Sequence, residues 1–423
     1  MGILYDAFAD DAFCAAVARA MGEDLRVPFG DGALEFTSTP VYPRLAGGLP
    51  VPIPVRHPGG EGGSSVAILG DRLFLKGHRR LREGISPELE IGCYLAEASP
   101  PPNLVPIAGA LQYRAADGSL TTLAVLQACV ASQGDGWTYT QAYLDRFLRE
   151  RRVPSPEVAS EVDEVHAFYR LLMQTLGRRI AELHLALARP TPDPRFAPEP
   201  IGAGDPAAWA GQIARDVRVT FQSLRQADDP LPPGRRDQIE RVIAEETPLI
   251  EHLRGLAPTD VSALKTRVHG DLQLGQVLQV ENDFYIVAVE SEPARELPVL
   301  QLKQTPLRDV AGMLWSLDYA ARVALARHSA EQPEDAGALA SMVWRWEAIA
   351  RQAFLDGYLE TTRGSPVLPT EPEHTRRLLE LFSFERVLQE IRYELSTRPD
   401  WLGIPLDGLE TLLQSRPTHE QAT

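Results

Sequence analysis

The sequence predicts an α+β protein of two lobes: a small β-rich N-terminal lobe with a cap in front of it, and a larger, mostly helical C-terminal lobe. Three observations carry this. Short strand-like runs with turn residues between them fill residues 65–128, and beyond about Thr140 the apolar spacing lengthens to that of amphipathic helices. One apolar hairpin, about 269–292, interrupts the helical part. The expected divisions are a cap over 1–60, a first lobe over 61–132 and a helical lobe over 133–423.

Residues 6–20 place Phe8, Phe13, Ala16 and Val17 at helical spacing, and a proline- and glycine-rich stretch over 39–63 follows, which reads as a loop-rich cap. Strands over 65–69 and 72–76 flank a Gly-Asp turn and form a hairpin. Ser86 before Pro87 starts a helix that runs to about residue 98, with Leu89, Ile91, Leu95 and Ala96 as its apolar positions. Two more strands, 108–114 and 120–128, meet at Ala116-Asp-Gly118. Long helices are expected over 161–188 and 310–327, and the proline-rich stretch 189–205 reads as a surface excursion. The hairpin strands are 276–280 and 284–290, joined by Glu281-Asn-Asp283.

Composition narrows the class. With 423 residues and 44% apolar content the chain can bury two or three cores. No uncharged stretch reaches the roughly 20 residues of a membrane span, and the first residues lack a cationic leader, so a cytoplasmic protein without a membrane partner is expected. A formal charge of -16 without a basic block argues against a nucleic-acid partner. Cys14, Cys93 and Cys129, far apart and apolar-flanked, read as buried free thiols.

Chemistry concentrates at His269-Gly-Asp271, with Gln276 five residues after the aspartate. Kinase-like phosphotransferases put a proton acceptor and a metal ligand on one loop in this way, so Asp271 is the candidate base and Gln276 a magnesium ligand through its amide oxygen. His269 reads as a hydrogen-bonded support and Asp309 as a brace for the loop or an ordinary helix N-terminal carboxylate. Lys76 ends a strand and Glu90 lies fourteen residues on in the next helix, the spacing of a lysine-glutamate pair that orders ATP phosphates. Gly59-Gly-Glu-Gly-Gly-Ser-Ser65 can bring backbone amides to phosphate, which makes Ser64 and Ser65 candidate ATP contacts. The expected fold is therefore bilobal and kinase-like, with ATP and Mg²⁺ as cofactors.

Ordered matches nearly from end to end sharpen this. They include Leu4-Tyr-Asp-Ala-Phe8, Gly70-Asp-Arg-Leu-Phe-Leu-Lys76, Ile85-Ser-Pro-Glu-Leu-Glu-Ile-Gly92 and Gln133-Gly-Asp-Gly-Trp-Thr-Tyr-Thr140. Ala181-Glu-Leu-His184, the His-Gly-Asp hairpin, Pro306-Leu-Arg-Asp-Val-Ala-Gly-Met-Leu314, Arg398-Pro-Asp-Trp401 and Ile404-Pro-Leu406 continue the series. On these residues the chain resembles the maltokinases, in particular the kinase unit fused to trehalose synthase, within the aminoglycoside phosphotransferase-like group. The resemblance implies ATP-dependent phosphorylation of maltose to maltose 1-phosphate, maltose or a related sugar as substrate, and association with trehalose synthase. It also implies a sugar-binding late helix over 384–395, where Arg386, Glu390 and Glu394 follow at i, i+4 beside Tyr393, with Trp401 able to stack on a pyranose.

The departures cluster at the chemistry. The family strand reads Ile-Asp-Phe-Glu-Gly-Glu-Pro, whereas this chain has Val287-Ala-Val-Glu-Ser-Glu-Pro293, so Ala288 stands where a metal-binding aspartate is expected. Alternation puts Glu290 on the same strand face, about 6 to 7 Å along, as a replacement ligand. Gln273 replaces a histidine of the loop, Arg386 a lysine and Gln389 a tyrosine of the late helix. Three readings stay open: a maltokinase, a kinase for another sugar such as glucosamine, and a pseudokinase that binds trehalose synthase without turnover.

Overall fold

The structure is a computed structural model and describes residues 5–58, 64–98, 102–150, 166–227, 235–287 and 297–416. It divides into two compact units, one formed by residues 1–134, 269–271 and 276–302, the other by 135–268, 272–275 and 303–423. Together their elements make the α+β, kinase-like fold that the pattern of strands and helices predicts.

The first unit is built on a seven-stranded antiparallel sheet, in the order β1-β2-β6-β7-β5-β4-β3. Its strands are β1 (Arg26–Phe29), β2 (Gly32–Ser38), β3 (Val55–Arg56), β4 (Ser64–Leu69), β5 (Leu73–His78), β6 (Ile107–Arg114) and β7 (Leu120–Ala128). The last four are the expected hairpin and strand pair, shifted by at most two residues at their ends. The first 60 residues depart from the loop-rich cap: β1, β2 and β3 pair into the same sheet. β1 is only four residues long, contains Pro28 and is exposed along its whole length, so little marks it as a sheet strand in sequence.

Helix α1 (Asp11–Gly22) packs Cys14, Val17 and Met21 against Ala67, Leu75 and Leu126 on one sheet face. The opposite face, with Val125 and Ala110, is covered by Leu89 of helix α3 (Pro87–Ala96); α2 (Tyr42–Ala46) is a single short turn. Ser86 caps α3 as expected, its Oγ accepting the Leu89 amide at 3.3 Å. The hairpin strands Val277–Val280 and Asp283–Ile286 pair antiparallel and belong to this unit. They are tied to it at both edges, through Val105 N to Ile286 O at 2.9 Å and Gln133 N to Gln279 O at 2.9 Å. Ala288 and Glu290 lie outside the described residues.

The second unit is helical: α4 (Gly136–Glu150), α5 (Ala167–Leu187), α6 (Asp205–Arg225), α7 (Arg235–Ala244), α8 (Glu246–Leu256), α9 (Leu307–Glu331), α10 (Ala336–Thr361), α11 (Pro372–Thr397) and α12 (Gly403–Gln414). Its core joins Phe221 of α6, Leu253 of α8, Trp315 and Tyr319 of α9, Phe382, Val387 and Ile391 of α11, and Leu406 of α12. A two-residue strand pair, Glu199–Pro200 with Leu264–Lys265, fastens the proline-rich stretch to the strand that leads to His269. Among the described residues no helix is long and apolar enough to cross a membrane. The three cysteines are free thiols; Cys14 is buried, whereas Cys93 and Cys129 are only partly so.

Candidate active site

Strand alternation decides what Lys76 meets. Its β5 neighbour Leu75 points into the α1 face, so Lys76 lies on the α3 face, opposite Val125 in the register. There it is only 4% exposed, and its Nζ is 3.2 Å from Glu88 Oε2. The sequence nominated Glu90; Glu88, in the first turn of the same helix, is a carboxylate at hydrogen-bond distance from Lys76. Glu90 is also buried on α3.

Ser65, a candidate ATP contact, is engaged within the unit: its hydroxyl donates to Asp6 Oδ2 at 2.5 Å and accepts from Arg79 Nε at 3.0 Å. That hydrogen bond, then the Phe8 amide, holds the Asp6 carboxyl below its usual range. Ser64 opens β4 and is half-buried, and the glycines 59–63 before it lie outside the described residues.

The His-Gly-Asp turn is a tight one. Gly270 sits at φ +87°, where a side chain would be strained, and this lets the Asp271 amide fold back toward His269 Nδ1 at 3.4 Å. Nδ1 thus accepts, and Nε2 carries the proton that it donates to the Val287 carbonyl at 3.0 Å. His269 is buried and hydrogen-bonded. Gln276 ends the loop, and its backbone carbonyl accepts the Val287 amide at 2.9 Å, so loop and second hairpin strand are joined at the residue before Ala288.

Residues 272–275 are held by α9. The Leu274 amide donates to Ser316 Oγ at 3.0 Å, and the helix comes close because Gly312 has no Cβ, which would stand 2.7 Å from the Leu272 carbonyl oxygen. Asp309, in the first turn of α9, is buried and accepts from His184 Nε2 at 3.1 Å. His184 Nδ1 in turn accepts the Tyr358 hydroxyl at 2.8 Å, and burial pushes that phenol far above its usual range.

On α11 the expected polar stripe divides. Arg386 and Glu390 pair at 3.6 Å and are largely shielded from water. Glu394, expected as a third sugar contact, is 0% exposed: it accepts from Tyr319 at 2.6 Å and from Arg398 at 2.6 and 3.0 Å. The helix itself explains the difference, because each step of four residues overshoots a 3.6-residue turn by about 40°, and two steps rotate Glu394 from rim to core. Burial, then the Glu394 hydrogen bond, push the Tyr319 phenol far above its usual range. Tyr393 and Trp401 are exposed, and the Arg398 guanidinium lies over both rings, at 5.3 and 5.2 Å from their centroids.

Glu88, Ser316, His184, Tyr319 and Arg398 were not nominated from sequence. Only Arg398, four residues after Glu394, carried a local signal. Among the described residues no three or more His, Cys, Asp or Glu side chains gather as a metal cage.

No protein-family model matches the chain. Two curated relatives are glucosamine kinases: that of Streptacidiphilus jiangxiensis is 27% identical over 57% of this chain and 49% of its own length. That of Mycolicibacterium smegmatis (strain ATCC 700084 / mc(2)155) is 28% identical over 72% of this chain and 66% of its own length. The chain thus spans 49% and 66% of the length of these two curated relatives. Among solved structures, a glucosamine kinase (crystal form B) superposes with a TM-score of 0.66 at 22% identity, covering 93% of this chain and 94% of that one. A glucosamine kinase in complex with glucosamine, ADP and inorganic phosphate gives 0.64 at 22% identity, covering 92% and 93%.

Proposed function

We propose that this chain is an ATP-dependent sugar kinase that transfers the γ-phosphoryl group to a sugar hydroxyl. The observation that carries the reading is the His-Gly-Asp turn, with His269 fixed between the Asp271 amide and the Val287 carbonyl so that Asp271 follows a rigid support. Asp271 takes or orients the proton of the attacking hydroxyl, and Lys76, oriented by Glu88, holds donor phosphates. ATP as donor is supported by the glucosamine kinase solved with ADP and inorganic phosphate. When bound, Mg²⁺ neutralises phosphate charge. The Gln276 amide oxygen and the Glu290 carboxylate would hold it as hard oxygen donors. Arg386, Glu390, Tyr393 and Trp401 are the proposed sugar contacts, and Glu394 supports them from the core.

Maltose is the first acceptor to test, on the resemblance to maltokinases, and glucosamine the second, on the curated relatives. Association with trehalose synthase belongs to the first of these readings. A coupled assay of ADP release with maltose, glucosamine and glucose decides among them: sugar-dependent ADP release supports the kinase, and its absence with every sugar refutes it. A second reading, a pseudokinase that binds nucleotide without transfer, is favoured by Ala288 alone. Ala288→Asp separates the two, since it creates sugar-dependent turnover in a disabled enzyme and changes an active one little.

A further inference from the structure

Two residues before His269 the chain buries a full positive charge: Arg267 is 1% exposed. A buried guanidinium is costly without compensation, and its planar, fork-shaped head makes it a rigid one. Part of its surroundings comes from the proline-rich stretch that reads in sequence as a surface excursion. Phe196 of that stretch is buried, and the Arg267 guanidinium lies 5.3 Å from its ring centroid. Asp193 nearby is held below the usual carboxylate range, first by the hydrogen bonds of Arg195 and last by the field of Arg267.

The same stretch is sewn to the strand before the turn. Glu199 and Pro200 pair with Lys265 and Leu264, the Ile201 amide donates to the Ala263 carbonyl at 2.9 Å, and Lys265 Nζ meets Asp205 Oδ2 at 2.8 Å. Lys303 reaches back to the Pro194 carbonyl at 2.8 Å and to Glu199 at 2.6 Å. On the other edge Thr266 exchanges both backbone hydrogen bonds with Gln304, at 2.9 and 2.7 Å, and Thr266 Oγ1 donates to the Arg267 carbonyl at 2.8 Å. Backbone pairing therefore fixes the strand as far as Thr266. The side chain of Arg267 is the last clamp on this strand among the described residues before the chain enters Val268 and the turn.

We infer that Arg267 is a positioning residue for the His269-Gly270-Asp271 turn, and that the proline-rich stretch exists at this place to hold it through Phe196. The inference rests on the proposed transfer reaction for its kinetic consequence only. The test compares wild type with Arg267→Met, Arg267→Lys and Phe196→Leu by amide hydrogen exchange over residues 268–276, and by steady-state kinetics with the sugar that the wild type accepts. Arg267→Met should speed exchange over 268–276 while helix α10 keeps its protection, and should lower kcat about 10- to 100-fold, as small misplacements of a catalytic group do. KM for sugar and nucleotide should change less than about twofold, which separates misaligned chemistry from lost binding. Arg267→Lys should fall between. If Arg267→Met does not fold, Phe196→Leu carries the same expectation with the charge kept. Unchanged exchange over 268–276 in the folded variants, with faster exchange confined to 193–205, overturns the inference. A wild type without turnover refutes the transfer reaction, and the exchange arm still decides the role of Arg267.

Discussion

Lys76 Nζ lies 3.2 Å from Glu88 Oε2, and both side chains are removed from water. A buried ion pair adds little stability beyond what an apolar pair would give, yet removing one member is costly. Glu88→Gln should cost about 3 kcal/mol in denaturant unfolding and weaken nucleotide binding. Equal nucleotide affinity in Glu88→Gln and wild type by calorimetry would return the pair to a structural part.

Asp271→Asn keeps the shape of the turn and removes the proposed proton acceptor. Sugar-dependent turnover should drop roughly 10² to 10⁴-fold, with nucleotide affinity nearly unchanged in the same preparation. A variant as fast as the parent would end the assignment.

The Tyr319-Glu394-Arg398 cluster predicts a graded series. Arg398→Met takes away the counter-charge of a fully buried carboxylate and should cost about 3 kcal/mol. Tyr319→Phe removes one hydrogen bond to it and should cost roughly 1 to 2 kcal/mol. Arg398→Met should also change Trp401 fluorescence, because the guanidinium no longer lies over the ring. Chemical denaturation and emission spectra check both.

Glu347 gives a pH dependence. Burial raises its pKa above the ordinary 4.5, against the opposing charge of Arg351. A carboxyl with a raised folded-state pKa binds more protons folded than unfolded, so the stability tied to it is full below the unfolded value and is lost as pH rises through the folded one. Glu347→Gln mimics the protonated form at every pH. Its melting temperature should match wild type below pH 4.5 and exceed it above the folded-state pKa. A gap that is the same at both ends of a pH series would show that ionisation of Glu347 is not its source.

Much of this architecture was legible from local pattern. The alternation of 65–69 and 120–128, the Ser86 cap and the hairpin around Glu281 all appear where periodicity and turn chemistry put them. What escaped is of two kinds. Glu88 stands two residues before Glu90, about 200° away around the helix, so spacing from Lys76 did not point to it. Tyr319 meets Glu394 across 75 residues, and Phe196 turns inward from a stretch whose composition reads as surface. Those contacts depend on how helices and strands stack, which neither propensity nor spacing encodes.

Gly312 gives the loop a mechanical stop. The atom facing its missing Cβ is a backbone carbonyl oxygen, 2.7 Å from where that carbon would stand, so no side chain can swing aside to make room. A single methyl group, without charge or hydrogen-bonding capacity, would act as a wedge between α9 and Leu272. Gly312 thereby turns the phase of a 25-residue helix into a gauge for the loop that follows Asp271, with a tolerance set by the size of one hydrogen atom.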